Sequence, residues 1–331
     1  MSTIRRRDFI ASAAGAATWP LAARAQQRDR IRRIGVLMNS APADGQAYVA
    51  ALMQGLHDAG WTEGQNFQVD VLWNLADAGL SRVYAARLVA LMPDVILVQS
   101  TVNLAAIRQA TSAIPVVFVS IADPVTQGFV ASMRQPGGNL TGFSLLEFSL
   151  GAKWLDILKQ AAPQLARVAV LFDPQTSPNT AFFKPVVENA AVSLGIEATL
   201  VPVGAPVDVE RGLARFGGVP NTGLVLFGGS FLLSHAGLIA DLARRYRLPS
   251  IGPDGFATSG ILLDYGPGIE LTDQFRQAAG YVDRILKGEK PGNMPIQAPV
   301  RYSLVINMQT ARALGIEVPP TLLALADEVI E

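Results

Sequence analysis

The sequence predicts an α/β fold made of two doubly wound parallel-sheet lobes of similar topology. Short apolar runs of strand length alternate with longer amphipathic runs along the chain. The first apolar run, RRIGVLMN, contains a continuous apolar stretch at 34–38 that is typical of a strand buried on both sheet faces. The alternation then repeats with corresponding strands roughly 130 residues apart, an offset too long for a solenoid repeat. We therefore expect two similar domains.

The first half of the chain predicts four strands with helices between them. Because strand and helix alternate and crossovers are right-handed, each sheet should be parallel with helices on both faces. Pro93 and Pro115 mark helix ends, since proline does not continue a helix. The strands are RRIGVLMN, FQVDVLW, DVILVQS and IPVVFVS, and the helices cover about 45–60, 81–92 and 104–112.

The second half repeats this order. AIP at 113–115 and RLP at 247–249 precede the fourth strands of the two halves, which favours a duplication. The predicted strands are RVAVLFD, IEATLVPV, TGLVLFG and LPSIG, and the helices cover about 179–194, 209–216 and 234–246.

Residues 1–25 predict a cleavable export signal. Arg6 and Arg7 lead into the weakly apolar run ASAAGAATWPLAA, and the small residues around 23–25 have the spacing of a signal-peptidase site. The run is shorter than the roughly 20 apolar residues of a membrane span. The paired arginines resemble a twin-arginine signal, with a Sec signal as the alternative. We expect a periplasmic protein.

Composition limits the classes of partner and chemistry. The chain has 27 basic and 27 acidic residues, so its charge gives no reason to expect nucleic acid or an anionic membrane as partner. It has 0 cysteines, which excludes disulfides, thiolate metal sites and cysteine nucleophiles. With 331 residues, 50% of them hydrophobic, two ordinary cores are more consistent than one oversized core.

Polar and small residues follow the predicted strands. In open parallel sheets, ligands bind beyond the carboxyl ends of the strands, so two facing lobes would form a cleft. Ser100, Thr101 and Ser230 could hold an anionic group, and Asp123 a donor. The same residue types are also ordinary helix N-caps, which is the alternative interpretation. The candidate ligand-binding residues are Asn39, Ser100, Thr101, Ala122, Asp123, Ser144, Asp173, Ser177, Asn179, Ser230 and Asp254.

The sequence offers little for catalysis, cofactors or metals. No Gly-x-Gly-x-x-Gly follows the first strand and no nucleotide-binding P-loop motif is present, so we expect no cofactor. His57 and His235 are not in a metal-binding arrangement, so we expect no metal. Ser230 and His235 could pair as nucleophile and base, but the Gly-x-Ser-x-Gly elbow is absent. We therefore expect that the protein is not an enzyme.

The stretch ADPVTQGFVASMRQPGGNLTGFS at 122–144 resembles a segment of the tryptophan-binding-protein-like family of ABC transporter substrate-binding proteins. Its Asp-Pro-Val and Pro-Gly-Gly-Asn-Leu-Thr-Gly elements carry the resemblance, which extends over about residues 33–331. It implies a type I periplasmic binding protein fold, with two lobes joined by three chain crossings and a small molecule enclosed between them. Further matching segments are KWLDILKQAAPQLARVAVLFDP, LLDYGPG, AAGYVDRILKGEKPGNMPIQAP and VINMQTARALGIEVPPTLLALADEVIE.

Local sequence agrees with three crossings. Pro-Gly-Gly-Asn at 136–139 is a turn signal, and Gly142 after it can absorb dihedral change, so the first hinge is expected there. The second and third are expected near 265–268 and 298–300. The helix at 271–286 would return to the first lobe, and the final helices would pack on the second. The expected N-terminal lobe is 31–141 with 268–298, and the C-terminal lobe is 142–267 with 299–331.

The resemblance implies an exported, monomeric solute receptor of an ABC importer. The ligand would be an amino acid, or an aromatic or small carboxylate, delivered to a permease and its ATPase at the inner membrane. A periplasmic sensor subunit that signals to a membrane receptor is the alternative, and an exported hydrolase is a weaker one. A transcription regulator of this fold would need a DNA-binding head where the export signal lies.

Overall fold

The computed structural model describes residues 30–75, 77–175, 179–268 and 270–331. The predicted export signal at 1–25 lies outside these residues. Within them, no helix has both the length and the apolar character needed to cross a membrane.

The first sheet is formed by residues 32–144 and is entirely parallel. Its strand order is β2-β1-β3-β4-β5. All four strands predicted here are present, with ends within two residues of the expected ones. The elements are β1 (Arg32–Met38), α1 (Pro42–Asp58), β2 (Phe67–Trp73), α2 (Ala78–Ala90), β3 (Val95–Gln99), α3 (Thr101–Ala110), β4 (Val116–Ile121) and β5 (Leu140–Ser144).

The second sheet has seven strands, and the chain leaves it once before returning. The elements that follow β5 are α4 (Leu150–Ala161), β6 (Arg167–Phe172), α5 (Thr180–Ser193), β7 (Glu197–Pro202), α6 (Pro206–Ala214), β8 (Thr222–Leu226), α7 (Ser230–Ser234), α8 (Ala236–Arg245), β9 (Ser250–Gly252), a 3-10 turn (Ala257–Ser259), β10 (Leu263–Gly266), α9 (Leu271–Leu286), a second 3-10 turn (Pro291–Asn293), β11 (Ser303–Asn307), α10 (Met308–Leu314), α11 (Pro320–Leu323) and β12 (Glu328–Ile330). The strand order is β12-β11-β10-β9-β8-β6-β7.

The predicted duplication is confirmed by the topology. The order β7-β6-β8-β9-β10 in the second sheet repeats β2-β1-β3-β4-β5 in the first. The second sheet then adds β11, which is antiparallel to β10, and β12, which is parallel to β11. The fold is therefore the expected two-lobed α/β fold with parallel-dominated sheets.

Each sheet has a hydrophobic core on both faces, because successive strand residues point to opposite sides. In the first sheet, Leu37 packs toward α2 and α3, whereas Val36 packs toward α1 and α9. In the second sheet, Leu171 packs toward α6 and α8, whereas Val170 packs toward α4 and α5. This two-sided burial explains the continuous apolar runs of the strands.

Four strands were not predicted, namely β5, β10, β11 and β12. Residues 140–142 were expected as a hinge, but they pair with 116–118 in the first sheet. A Cβ on Gly142 would lie 2.0 Å from the Phe118 carbonyl oxygen, so the glycine permits the close approach of the two strands, and the hinge at this position stays a prediction. The first sheet thus extends past the expected lobe boundary at residue 141 and ends at Ser144. The lobe boundaries themselves stay a proposal, with the first one moved to the end of β5.

The helix predicted at 234–246 is confirmed as α8 (Ala236–Arg245), and the short helix α7 (Ser230–Ser234), which was not predicted, precedes it. α7 ends at Ser234 and α8 begins at Ala236, with His235 between them at φ −111° and ψ 17°. These dihedral angles break the regular helix at this point.

The helix α9 packs on the first lobe, as expected. Its buried residues Phe275 and Ala279 belong to the same core as Leu52 of α1. Trp61 Nε1 donates a hydrogen bond to Asp283 Oδ1 at 2.8 Å. The chain therefore returns to the first lobe after β10 and goes back to the second sheet at β11.

The contact between α1 and α9 gives a testable pair of glycine substitutions. A Cβ on Gly55 would lie 2.7 Å from Ala279 Cβ and 2.8 Å from the Arg276 carbonyl oxygen. We expect Gly55→Ala to lower the free energy of unfolding by about 1 to 3 kcal/mol, because it separates the two helices. The control Gly280→Ala, on an exposed position of α9 with open space around it, should raise it by about 0.5 to 1 kcal/mol. Urea unfolding measures both, and equal effects would contradict the packing account.

Candidate ligand-binding site

A cavity of about 670 Å³ lies between the two lobes. Its volume is in the range of small-molecule sites, about 300 to 1,000 Å³. The first lobe contributes residues at the carboxyl ends of β3 and β4, and the second contributes residues after β8 and β9. The cavity therefore lies where the strand-end argument places a ligand.

The start of α3 forms part of the first-lobe wall. Ser100 has φ 80°, an uncommon value for a serine, and its Oγ accepts the N–H of Asn103 at 3.5 Å. Thr101 is the first helical residue and lines the cavity. The uncommon backbone angle at Ser100 thus begins α3 at the cavity, and the first N–H groups of a helix lack partners within the helix itself.

A buried amide network holds this bend. Asn103 Nδ2 donates to the Gln99 carbonyl oxygen at 2.9 Å, and Asn74 Nδ2 donates to Asn103 Oδ1 at 2.8 Å. Asn39 belongs to the same network, because its N–H donates to Gln99 Oε1 at 3.2 Å. Asn74 and Asn103 are 0% exposed and were not predicted, although each follows closely on a strand end. They act as positioning residues for Ser100.

A β-bulge places Ser120 at the cavity. The pairing of β4 with β5 shifts register between Phe118 and Ile121, and Ser120 has φ 59°. Gln274 of α9 accepts the Ser120 N–H at 3.1 Å and donates to the Ser144 carbonyl oxygen at 3.2 Å. Bulges commonly re-aim residues next to functional sites. Ser120 was not predicted, because a bulge inside an apolar run leaves no clear signal in the sequence.

The start of α5 forms the facing wall in the second lobe. Asn179 Nδ2 donates to Thr101 Oγ1 at 3.5 Å, a long hydrogen bond that joins the two lobes across the cavity. Asn179 Oδ1 is buried and has no hydrogen-bond partner among the described residues. Two helix starts, those of α3 and α5, therefore meet at the cavity, and each favours negative charge.

An aromatic cluster borders the cavity in the second lobe. Trp154 and Phe183 are stacked with ring centroids 5.5 Å apart, and Phe183 lies 5.0 Å from Phe227. Trp154 Nε1 donates to the Tyr265 carbonyl oxygen at 2.7 Å, which ties α4 to β10. Trp154 and Phe227 belong to one hydrophobic core of the second lobe. Both are buried, and both also border the cavity.

Asp254 is a charged residue of the cavity wall after β9. Its Oδ2 accepts the Gly268 N–H at 2.9 Å, and burial raises the pKa of its carboxyl group. A Cβ on Gly266 would lie 2.5 Å from the same oxygen, so the glycine leaves room for the carboxylate. Glu270, at the start of α9, also lines the cavity.

Asp264 lies behind Asp254 on β10 and is 2% exposed. Its Oδ2 accepts three backbone N–H groups, from Gly255, Phe256 and Ala257 at 3.0, 2.9 and 2.8 Å. Burial raises the pKa of Asp264 to about 7 despite these donors, and the charge of Asp254 raises it further. The residue fixes the turn after Asp254, although it does not line the cavity.

The predicted site residues divide into two groups. Ser100, Thr101, Ala122, Asn179 and Asp254 line the cavity, and Ser230 begins α7 directly after Gly229, which lines it too. Ligand contact by these residues stays a prediction. The structure does not bring Asn39, Asp123, Ser144 or Asp173 into the cavity wall, and Ser177 lies outside the described residues.

Backbone hydrogen bonds account for the residues that do not line the cavity. Asp123 Oδ1 accepts the Thr126 N–H at 3.0 Å, and Asp173 Oδ1 accepts the Gln175 N–H at 2.9 Å. Ser144 Oγ donates to the Ile121 carbonyl oxygen at 3.2 Å. Both aspartates therefore accept hydrogen bonds from nearby backbone N–H groups, which agrees with the alternative interpretation of these residues as caps.

The buried carboxyl group of Asp264 predicts a pH-dependent stability. Its folded pKa of about 7 exceeds the ordinary value of about 3.9, so the folded protein binds more protons between these values. The contribution of this group is therefore full below about pH 4 and is lost as the pH rises to about 7. Urea unfolding of the protein and of Asp264→Asn should give a stability difference that falls over this range. A difference that stays flat or rises would contradict the assignment.

Fold and site together define a two-lobed binding protein with a ligand cavity between its lobes, and its structural neighbours are type I periplasmic binding proteins. The family model described as ABC transporter substrate binding protein matches residues 40–330. The chain belongs to this family, as its sequence resemblance indicated.

Several known proteins are similar to this chain in sequence or in fold. A tyrosine-binding protein of Clostridioides difficile is 23% identical over 266 residues, which is 80% of this chain and 75% of that protein. The crystal structure of a conserved domain protein of Vibrio cholerae has a TM-score of 0.77 at 24% identity and covers 91% of this chain and 100% of its own. An ABC domain of Streptococcus pneumoniae in complex with L-Trp has a TM-score of 0.73 at 20% identity, with coverage of 91% and 100%.

Proposed function

We propose that this chain is an exported solute receptor of an ABC importer. It encloses a small organic molecule, an amino acid or an aromatic or other small carboxylate, and delivers it to a membrane permease and its ATPase. The observation that carries the proposal is the cavity of about 670 Å³ whose walls come from both lobes. The tyrosine- and tryptophan-binding relatives support this class of ligand.

The walls of the cavity offer complementary groups for such a ligand. The helix starts of α3 and α5, with the Thr101 hydroxyl and the Asn179 amide, can hold a carboxylate. The rings of Trp154, Phe183 and Phe227 offer an apolar surface for an aromatic side chain. A ligand that contacts both lobes stabilises the closed arrangement by the difference between its affinities for the closed and open states.

Transport places further demands on the protein, and each is part of the proposal. The predicted signal at 1–25 directs the chain to the periplasm, where it acts as a monomer. The protein binds and releases its solute unchanged, and it performs no bond chemistry. Lobe closure presents a recognisable surface to the permease, since the two sheets can move about the crossings that join them.

The proposal predicts a ligand-dependent thermal shift that needs Thr101. The purified protein is screened against amino acids, aromatic acids and small carboxylates, and at least one of these compounds should raise its melting temperature. A ligand at ~100-fold excess over its Kd adds ~2.7 kcal/mol to the free energy of unfolding. Thr101→Val keeps the side-chain volume but removes the hydroxyl, so it should lower the affinity for that compound about tenfold.

Thr62→Val is the matched control, because Thr62 lies in an exposed turn outside the cavity wall. It should leave the ligand affinity unchanged. If Thr101→Val destabilises the empty protein and retains full affinity, the hydroxyl has a structural role only. If no compound shifts the melting temperature, the receptor function itself is contradicted.

A further inference from the structure

We propose that Asp254 binds a positively charged amine of the ligand, so that the receptor accepts amine-bearing solutes and discriminates against the same carbon skeletons without the amine. This inference rests on the proposed function and narrows its ligand class. It assigns a role in selectivity to a residue at the junction of the second sheet and the crossing to α9.

The described part of the cavity wall carries negative charge only. Among the described residues that line it, the charged side chains are those of Asp254 and Glu270, and lysine, arginine and histidine are absent. Neither carboxylate forms an ion pair with a basic side chain in the described part of the chain. A carboxylate in a partly buried wall is stabilised by a cation, and none of the described basic side chains supplies one here.

The Asp254 carboxylate is held in a defined position. Its Oδ2 accepts the Gly268 N–H at 2.9 Å, and the absence of a side chain at Gly266 leaves the space that the carboxylate occupies. Its Oδ1 has no hydrogen-bond partner among the described residues. One oxygen is thus fixed by the backbone, and the other is available as an acceptor.

The other polar region of the cavity wall has the opposite electrostatic character. The helix starts of α3 and α5 provide N–H groups and positive dipole ends, which favour the anionic end of a ligand. A zwitterionic solute satisfies both regions at once. A plain carboxylic acid leaves the Asp254 carboxylate without a cation, and it adds a negative charge to an acidic cavity.

A neutral polyol could also donate hydroxyl groups to Asp254, but its uncharged hydroxyls would not compensate the carboxylate charge as an ammonium group does. The amine is therefore the class that the charges of the cavity favour, and a polyol is one of the outcomes that the test must separate.

The test measures the affinity of the full chain by calorimetry for matched compounds. The probes are the standard L-amino acids, the deaminated acids with the same skeletons, such as indole-3-propionate and 3-(4-hydroxyphenyl)propionate, and sorbitol. We expect the best amino acid to bind about 30-fold or more tightly than its deaminated counterpart. In Asp254→Asn this preference should fall to about threefold or less, because the amide still accepts the Gly268 N–H but has no charge.

Asp241→Asn is the control for loss of one negative charge on the same lobe. Asp241 is exposed and pairs with Arg244 at 2.5 Å, outside the cavity wall, so its variant should keep the full preference. Asp254→Glu should recover part of the preference that the asparagine variant loses.

Three results would overturn the inference. They are a deaminated acid that binds within about threefold of its amino acid, sorbitol as the tightest ligand, and an Asp254→Asn variant that retains the preference. In each of these cases, binding to the cavity still supports a solute receptor. Failure of every probe to bind would overturn this inference and the proposed function together, so the two failures are distinguishable.

Discussion

The carboxyl edges of two parallel sheets face each other across one cavity, and the rest of the structure depends on this constraint. Parallel strands direct the N–H groups of the following helices to a single edge, so each lobe brings a helix start to the site. The hydrogen bond between Asn179 and Thr101 marks where these edges meet. A ligand between them can contact both lobes, which is the condition for ligand-driven closure.

Buried polar side chains stabilise the uncommon backbone conformations at this edge. Ser100 and Ser120 both have positive φ, and both line the cavity. Asn103 fixes the first through the Gln99 carbonyl group, and Gln274 fixes the second from α9, 154 residues later in the chain. Such support lets the site keep uncommon backbone geometry at the expense of stability elsewhere. The hydrogen bonds of Gln274 also join the first sheet to α9, which returns to the first lobe after the chain has formed β6 to β10 of the second sheet.

The sequence alone was sufficient for the strands and helices that carry the duplicated pattern, because apolar periodicity and proline punctuation are strong there. It was insufficient for β5 and β10, whose glycines at 142 and 266 resemble hinge residues in sequence yet serve close contacts in the structure. Strand-end reasoning placed Ser100, Thr101 and Asp254 at the cavity, whereas Asp123 caps its own turn. Asn74 directly follows β2, so the same reasoning could have found it. Gln274 could not be found in this way, because it lies within a helix and its partners are distant in sequence.

The most direct test of the central claim is small-angle X-ray scattering of the purified protein with and without a saturating solute identified by thermal shift. Closure of two lobes over a shared cavity predicts a smaller radius of gyration in the presence of solute, and the change should be lost when the solute is removed by dialysis. Scattering curves that stay the same at saturation would show that the solute does not draw the lobes together, and would contradict this account.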